Sequence, residues 1–117
     1  MRYSVIYVST QPEGQEKISV GLIIVDGDTV EVKTSDKKIA VTEMLLSEKE
    51  YQYVSRTLKN MEKTIKTVGD VDYLSRYSNN MIQVSPLKTV DVEATKESKD
   101  WVYNTHVFGR RHQTTTP

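Results

Sequence analysis

The chain is 117 residues long, with 16 Lys+Arg balanced by 16 Asp+Glu, 37% hydrophobic residues, 27% charged residues and no cysteine. That length suits one domain able to bury about two-thirds of its unfolded surface, and the composition lies outside the low-hydrophobicity, high-net-charge range of disordered chains. A formal net charge of zero argues against a dedicated binder of nucleic acid or anionic membrane, and the lack of cysteine excludes disulfides, thiolate metal sites and a cysteine nucleophile.

Residues 3–9 place Tyr3, Val5 and Tyr7 on one face and Ile6 and Val8 on the other, which predicts an interior strand. The stretch Gln11-Pro12-Glu13-Gly14-Gln15 reads as a loop. A second strand follows, in which Ile18, Val20, Leu22 and Ile24 alternate with Ser19, Gly21, Ile23 and Val25. Asp26-Gly27-Asp28 then predicts a hairpin, because Gly accepts positive φ without steric cost. The third strand, Thr29 to Lys33, alternates plainly, with Val30 and Val32 inward and Thr29, Glu31 and Lys33 on a wet face.

Residues 37–46 fit a short helix or a fourth strand, and the helix is the expectation. Ser47 with Glu50 three residues on forms a capping box. From it runs an amphipathic helix carrying Tyr51, Val54, Leu58, Met61, Ile65 and Val68, expected to end near Val68 with Gly69 as its C-cap. Asp70 is expected to cap a shorter helix with Val71, Leu74, Tyr77 and Tyr73, broken at Ser78-Asn79-Asn80. A strand over Met81 to Val84 closes at Pro86, and Thr95 or Asp91 caps a final helix containing Trp101, Val102 and Val107-Phe108, its apolar face poorly defined. Residues 109–117 lack apolar content and are expected to be a disordered tail. Strands first and helices afterwards predict a single α+β domain over residues 1–108: an antiparallel sheet of three to five strands with two to four helices packed mainly on one face.

No catalytic constellation is legible. Asp26 and Asp28 belong to turn chemistry, since a calcium loop would need oxygen ligands where Thr29 and Val30 stand. His106 and His112 lie six residues apart, away from the i, i+4 spacing that puts two imidazoles on one helix face. No nucleophile motif and no phosphate-binding glycine loop occurs, and Gly21 reads as a site of close approach across the sheet. No cofactor or metal is therefore expected, and catalysis is disfavoured without being closed off.

Binding signals are of two kinds. Arg56, Lys59, Lys63 and Lys66 line the side of the long helix opposite its apolar stripe, a face that meets either solvent or phosphates. Seven tyrosines against one Phe and one Trp favour half-buried packing and docking surfaces, with Tyr3 and Tyr7 sharing a strand face and Tyr73 and Tyr77 one helical turn apart. No apolar run reaches membrane-spanning length, and the opening residues run straight into a strand, so a cytoplasmic protein without a membrane partner is the expectation.

Three segments resemble the bacterial family called Domain of Unknown Function 3037. They are Tyr3-Ser4-Val5-Ile6-Tyr7-Val8, Val20-Gly21-Leu22-Ile23-Ile24-Val25-Asp26 and Asn80-Met81-Ile82-Gln83-Val84-Ser85-Pro86, with Ser19 standing where members often carry Asn. The resemblance implies no activity and no catalytic residue. It implies a partner or regulator of a HipA-like kinase, or of a toxin–antitoxin or defence system, and a late strand whose Asn80, Gln83 and Ser85 form a polar face. The function expected is thus a small non-catalytic protein-interaction module. The alternative is a nucleic-acid-associated domain using the basic helix face together with Arg110-Arg111. A free edge beside the third strand would also allow a homodimer.

Overall fold

Two-residue alternation in the first third of the chain becomes a three-stranded meander in the computed structural model, which describes residues 1–10, 17–76 and 81–108. Strand β1 (Arg2–Ser9) pairs antiparallel with β2 (Lys17–Asp26), and β2 with β3 (Thr29–Thr34). The β2–β3 connection is the anticipated hairpin: Asp26 faces Thr29, and Gly27 between them has φ 60° while Asp28 stays at negative φ. A positive φ at the first central position alone is the type II′ pattern.

Helices α1 (Asp36–Glu43), α2 (Glu48–Thr64) and α3 (Val68–Arg76) follow. Strands β4 (Ile82–Val84) and β5 (Lys88–Thr89) then both pair antiparallel with β1, on the side away from β2. Strand β5 has no alternation in the sequence to announce it; Pro86, which has no N–H to donate, separates it from β4. Helix α4 (Lys96–Tyr103) runs on into a π-helical turn, Asn104–Phe108. The sheet order is β3-β2-β1-β4 with β5 beside β1. This is the expected antiparallel α+β architecture.

The two faces of the sheet carry separate cores. On one, Ile6, Val8, Val20, Ile23 and Val25 pack against Ile39 of α1, Val54, Leu58 and Met61 of α2, and Val71 of α3. On the other, Tyr3, Val5, Leu22 and Ile24 pack against Val102, Tyr103 and Val107. Among the described residues three helices therefore cover one face and α4 covers the other, so part of the face read as wet is roofed.

Residues 37–46 are helical up to Glu43, capped by Ser35, whose hydroxyl oxygen accepts from the Lys38 N–H at 3.2 Å. Helix α2 begins with the predicted capping box, Ser47 Oγ accepting from Glu50 N at 3.2 Å and Glu50 Oε1 from Ser47 N at 2.9 Å. Such a cap is worth about 1 kcal/mol.

The predicted end of α2 is corrected. The helix stops at Thr64, and Ile65 takes an extended conformation (ψ 109°) while staying buried. Val68 starts α3, and Gly69 lies in the first turn of α3 rather than capping α2. Asp70 is likewise inside α3 and not its leading cap. Its Oδ2 reaches back to accept from the N–H groups of Lys66 (2.9 Å) and Thr67 (3.0 Å), and Thr67 Oγ1 accepts from Asp70 N (3.2 Å). This second reciprocal cap, Thr-x-x-Asp, satisfies N–H groups that a continuous helix would have used, and so breaks the apolar period in two. Thr95 is the cap of α4, pairing with Ser98. The predicted loop at 11–15, Tyr77, the breaker at 78–80 and the tail from residue 109 lie outside the described residues.

Gly21 sits where a side chain would collide. A Cβ there would lie 2.9 Å from the Lys33 carbonyl oxygen and 3.2 Å from both Ile6 Cδ1 and Thr34 Cγ2. The adjacent Val20 is an extra residue in the pairing, since Ile6 faces Gly21 while Tyr7 faces Ser19. The bulge lets Val20 join the core that Ile23 and Val25 already line.

Candidate site at the free edge of the sheet

The hydrogen-bond alternation of an antiparallel hairpin decides which backbone groups of β3 are used. In a two-residue hairpin the flanking residues, Asp26 and Thr29, form the first bonded pair, and every second residue thereafter points at the partner strand. The Ser35 N–H donates to Val20 O at 2.8 Å, on the same alternation. Thr29, Glu31 and Lys33 thus turn their N–H and C=O groups toward β2. Those of Val30, Val32 and Thr34 point outward, and among the described residues β3 is the terminal strand of the sheet. Among the described residues the opposite edge is made of two short strands separated by Pro86, which blunts it.

The outer side of β3 opens into a groove of about 640 Å³. Leu22 and Ile24 of β2 supply its apolar base, Glu31 and Lys33 of β3 one wall, and Lys96, Lys99, Asp100 and Tyr103 of α4 the other. Val30, Val32 and Glu62 border it from the other side of the sheet. Glu62 also ties α2 to the strand by accepting from Thr34 Oγ1 at 3.2 Å. Glu31 pairs with Lys99 at 3.0 Å, and Lys33 Nζ lies 4.3 Å from the Tyr103 ring centroid. Burial pushes the Tyr103 phenol up from its ordinary pKa.

Acids and lysines both line this groove, and among the described residues no three His, Asp or Glu side chains gather closely enough to hold a metal ion. The arrangement can bind an extended chain: backbone groups along the strand edge, apolar surface beneath, and charges of both signs on the walls.

The residues singled out from sequence fall elsewhere. Arg56, Lys59 and Lys63 are exposed on α2, and no ion pair among the described residues involves them. Lys66 is corrected: it is exposed, but lies beyond the end of α2 with its N–H held by Asp70, so it does not extend the helical stripe. Gln83 is half-buried on β4 opposite Tyr7, and Asn80 lies outside the described residues. Tyr73 is exposed, whereas Tyr3 is buried with its ring stacked on His106 at 4.7 Å and 30°. Asp26 and Asp28 are exposed at the hairpin, as turn residues.

The groove residues were missed for a readable reason. Glu31 and Lys33 look like ordinary outward charges. Lys96, Lys99, Asp100 and Tyr103 do fall on one helical face, but a mostly charged face gives no hydrophobic signal.

No family model, curated protein or solved structure matches the chain. No helix among the described residues is long and apolar enough to cross a membrane.

Proposed function

We propose that this chain is a small protein-interaction module, acting without catalysis of its own, that takes an extended segment of a protein partner along the outer edge of β3. The observation that carries this reading is the run of outward backbone groups at Val30, Val32 and Thr34 beside a groove whose walls carry both signs of charge. Strand addition draws affinity from main-chain hydrogen bonds and specificity from alternate side chains, and the edge offers both. The resemblance to Domain of Unknown Function 3037 makes a HipA-like kinase, or a component of a toxin–antitoxin or defence system, the first partner to try. A second copy of the chain is the other protein occupant in view, and a cytoplasmic setting fits either.

The test is affinity capture from the native host at low and high salt, using the wild type and Val30→Pro, which removes one outward N–H and leaves the bonds to β2 intact. The expected result is a protein retained at high salt by the wild type and lost with the variant, with circular dichroism showing that the variant is folded. Identical sets retained by both proteins would sink the proposal.

A second reading rests on the exposed cations Arg56, Lys59 and Lys63, which stand at i, i+3 and i+7 on α2. It makes the chain a nucleic-acid-associated domain whose binding falls steeply with salt. Lys59→Glu/Lys63→Glu would then abolish nucleic-acid capture without unfolding the protein, and capture that survives the double change would dismiss it.

A further inference from the structure

Resting on the strand-addition reading, and narrowing its partner, we infer that the occupant of the β3 edge is β3 of a second copy, paired antiparallel about a two-fold axis at Val32. Register selects the pairing. Only residues whose backbone groups point outward can form the bonded pairs of a new ladder, so Val30, Val32 and Thr34 must face one another across the axis. Three symmetric registers meet that condition with useful overlap. Setting Val30 opposite Val32 of the partner brings the two Glu31 side chains face to face. Setting Val32 opposite Thr34 of the partner brings the two Lys33 side chains together. Setting Val32 opposite Val32 of the partner brings Glu31 opposite Lys33 of the partner, twice by symmetry.

In that last register the charged residues occupy the non-bonded pairs of the ladder, where facing side chains approach most closely. Like charges there repel and opposite charges attract, so this strand is self-complementary in one register and self-repelling in its neighbours. Charges on an edge strand ordinarily discourage pairing; here their order selects a single pairing. Glu31 and Lys33 are both exposed, and each has its present partner within the same copy, Lys99 and Tyr103, on the groove side. Pairing would extend those contacts into a charge ladder across the axis. A two-fold, self-complementary contact is also the commonest form of homo-oligomer.

The test is a charge exchange read by sedimentation equilibrium over a concentration series, with melting temperature recorded to show that each variant folds. Wild type is expected at twice its 13.4 kDa mass. Glu31→Lys alone and Lys33→Glu alone each set like charges opposite one another at both symmetric positions, and are expected to weaken the dimer by about tenfold or more. Mixing the two single variants, or combining both changes in one chain, restores opposite charges at every such pair and is expected to restore the dimer. Amide exchange at Val30, Val32 and Thr34 should slow in the dimer and be fast in the single variants. A wild type that stays at 13.4 kDa at the highest concentration reached overturns the inference, as does a dimer indifferent to the single reversals. The two proposals fail separately. A monomer that still captures a foreign protein through this edge, with loss in Val30→Pro, keeps the interaction module and removes the self-pairing.

Discussion

Lys33 of β3 places its ammonium over the ring of Tyr103 of α4, 4.3 Å from the centroid, joining the terminal strand to the helix that roofs the second core. The two ends of this contact differ in burial: Lys33 is exposed and Tyr103 is 5% exposed within that core.

Substitutions at the two residues should therefore separate. Lys33→Met removes an exposed cation–π contact and is expected to cost about 0.5–1 kcal/mol. Tyr103→Ala removes a buried aromatic ring and is expected to cost about 3–5 kcal/mol. Urea denaturation of both variants checks the ordering, and equal losses would mean that Tyr103 does not anchor the second core.

Gly21→Ala tests the closest approach in the sheet. The added methyl meets the Lys33 carbonyl, a backbone atom that moves only if β3 moves. The expected loss is about 1–3 kcal/mol by overpacking, accompanied by amide shifts along Lys33 and Thr34 in a heteronuclear spectrum. A variant as stable as wild type would show that the β2–β3 pair has slack at the bulge.

Asp70 provides the pH-dependent element. The backbone N–H groups of Lys66 and Thr67, in that order, hold its carboxyl below the usual carboxylate value. Because the folded value is the lower one, the unfolded chain binds the extra proton, and the stabilisation is complete above the unfolded carboxylate pKa. It is lost as pH falls through the folded value. Asp70→Ala is accordingly expected to be less stable than wild type at neutral pH, with the gap closing in the acid range below about pH 4. Thermal melts of both proteins from neutral to acid pH read it directly, and a gap that does not change with pH would show that the ionised carboxylate does not supply the stabilisation.

The elements with a strong local period were legible in the sequence. Tyr3, Val5 and Tyr7 against Ile6 and Val8, the Asp26-Gly27-Asp28 turn, and the Ser47–Glu50 box all act within a few residues, where sterics and short hydrogen bonds decide the outcome. The α2–α3 boundary shows where that reading gives out. Ile65 and Val68 keep the helical spacing in the sequence, yet the Thr67–Asp70 cap interrupts the hydrogen-bond ladder beneath it, and both residues still pack on the core from a changed backbone. Strand β5 escaped for a different cause: two residues paired on one side carry no period at all, and only β1 defines them.

The candidate site divides along the same line. The sequence determined the alternation of β3, its Glu31 and Lys33 on one face, and the helical face bearing Lys96, Lys99, Asp100 and Tyr103, since each depends on spacing within a single element. Only the tertiary structure decided that β3 is the last of the described strands, that α4 crosses the second face, and that Lys99 meets Glu31 across a gap of many residues in the chain. Strand order and helix placement follow from how two apolar sheet faces are covered at once, a balance of burial summed over the whole domain that no local window of residues contains.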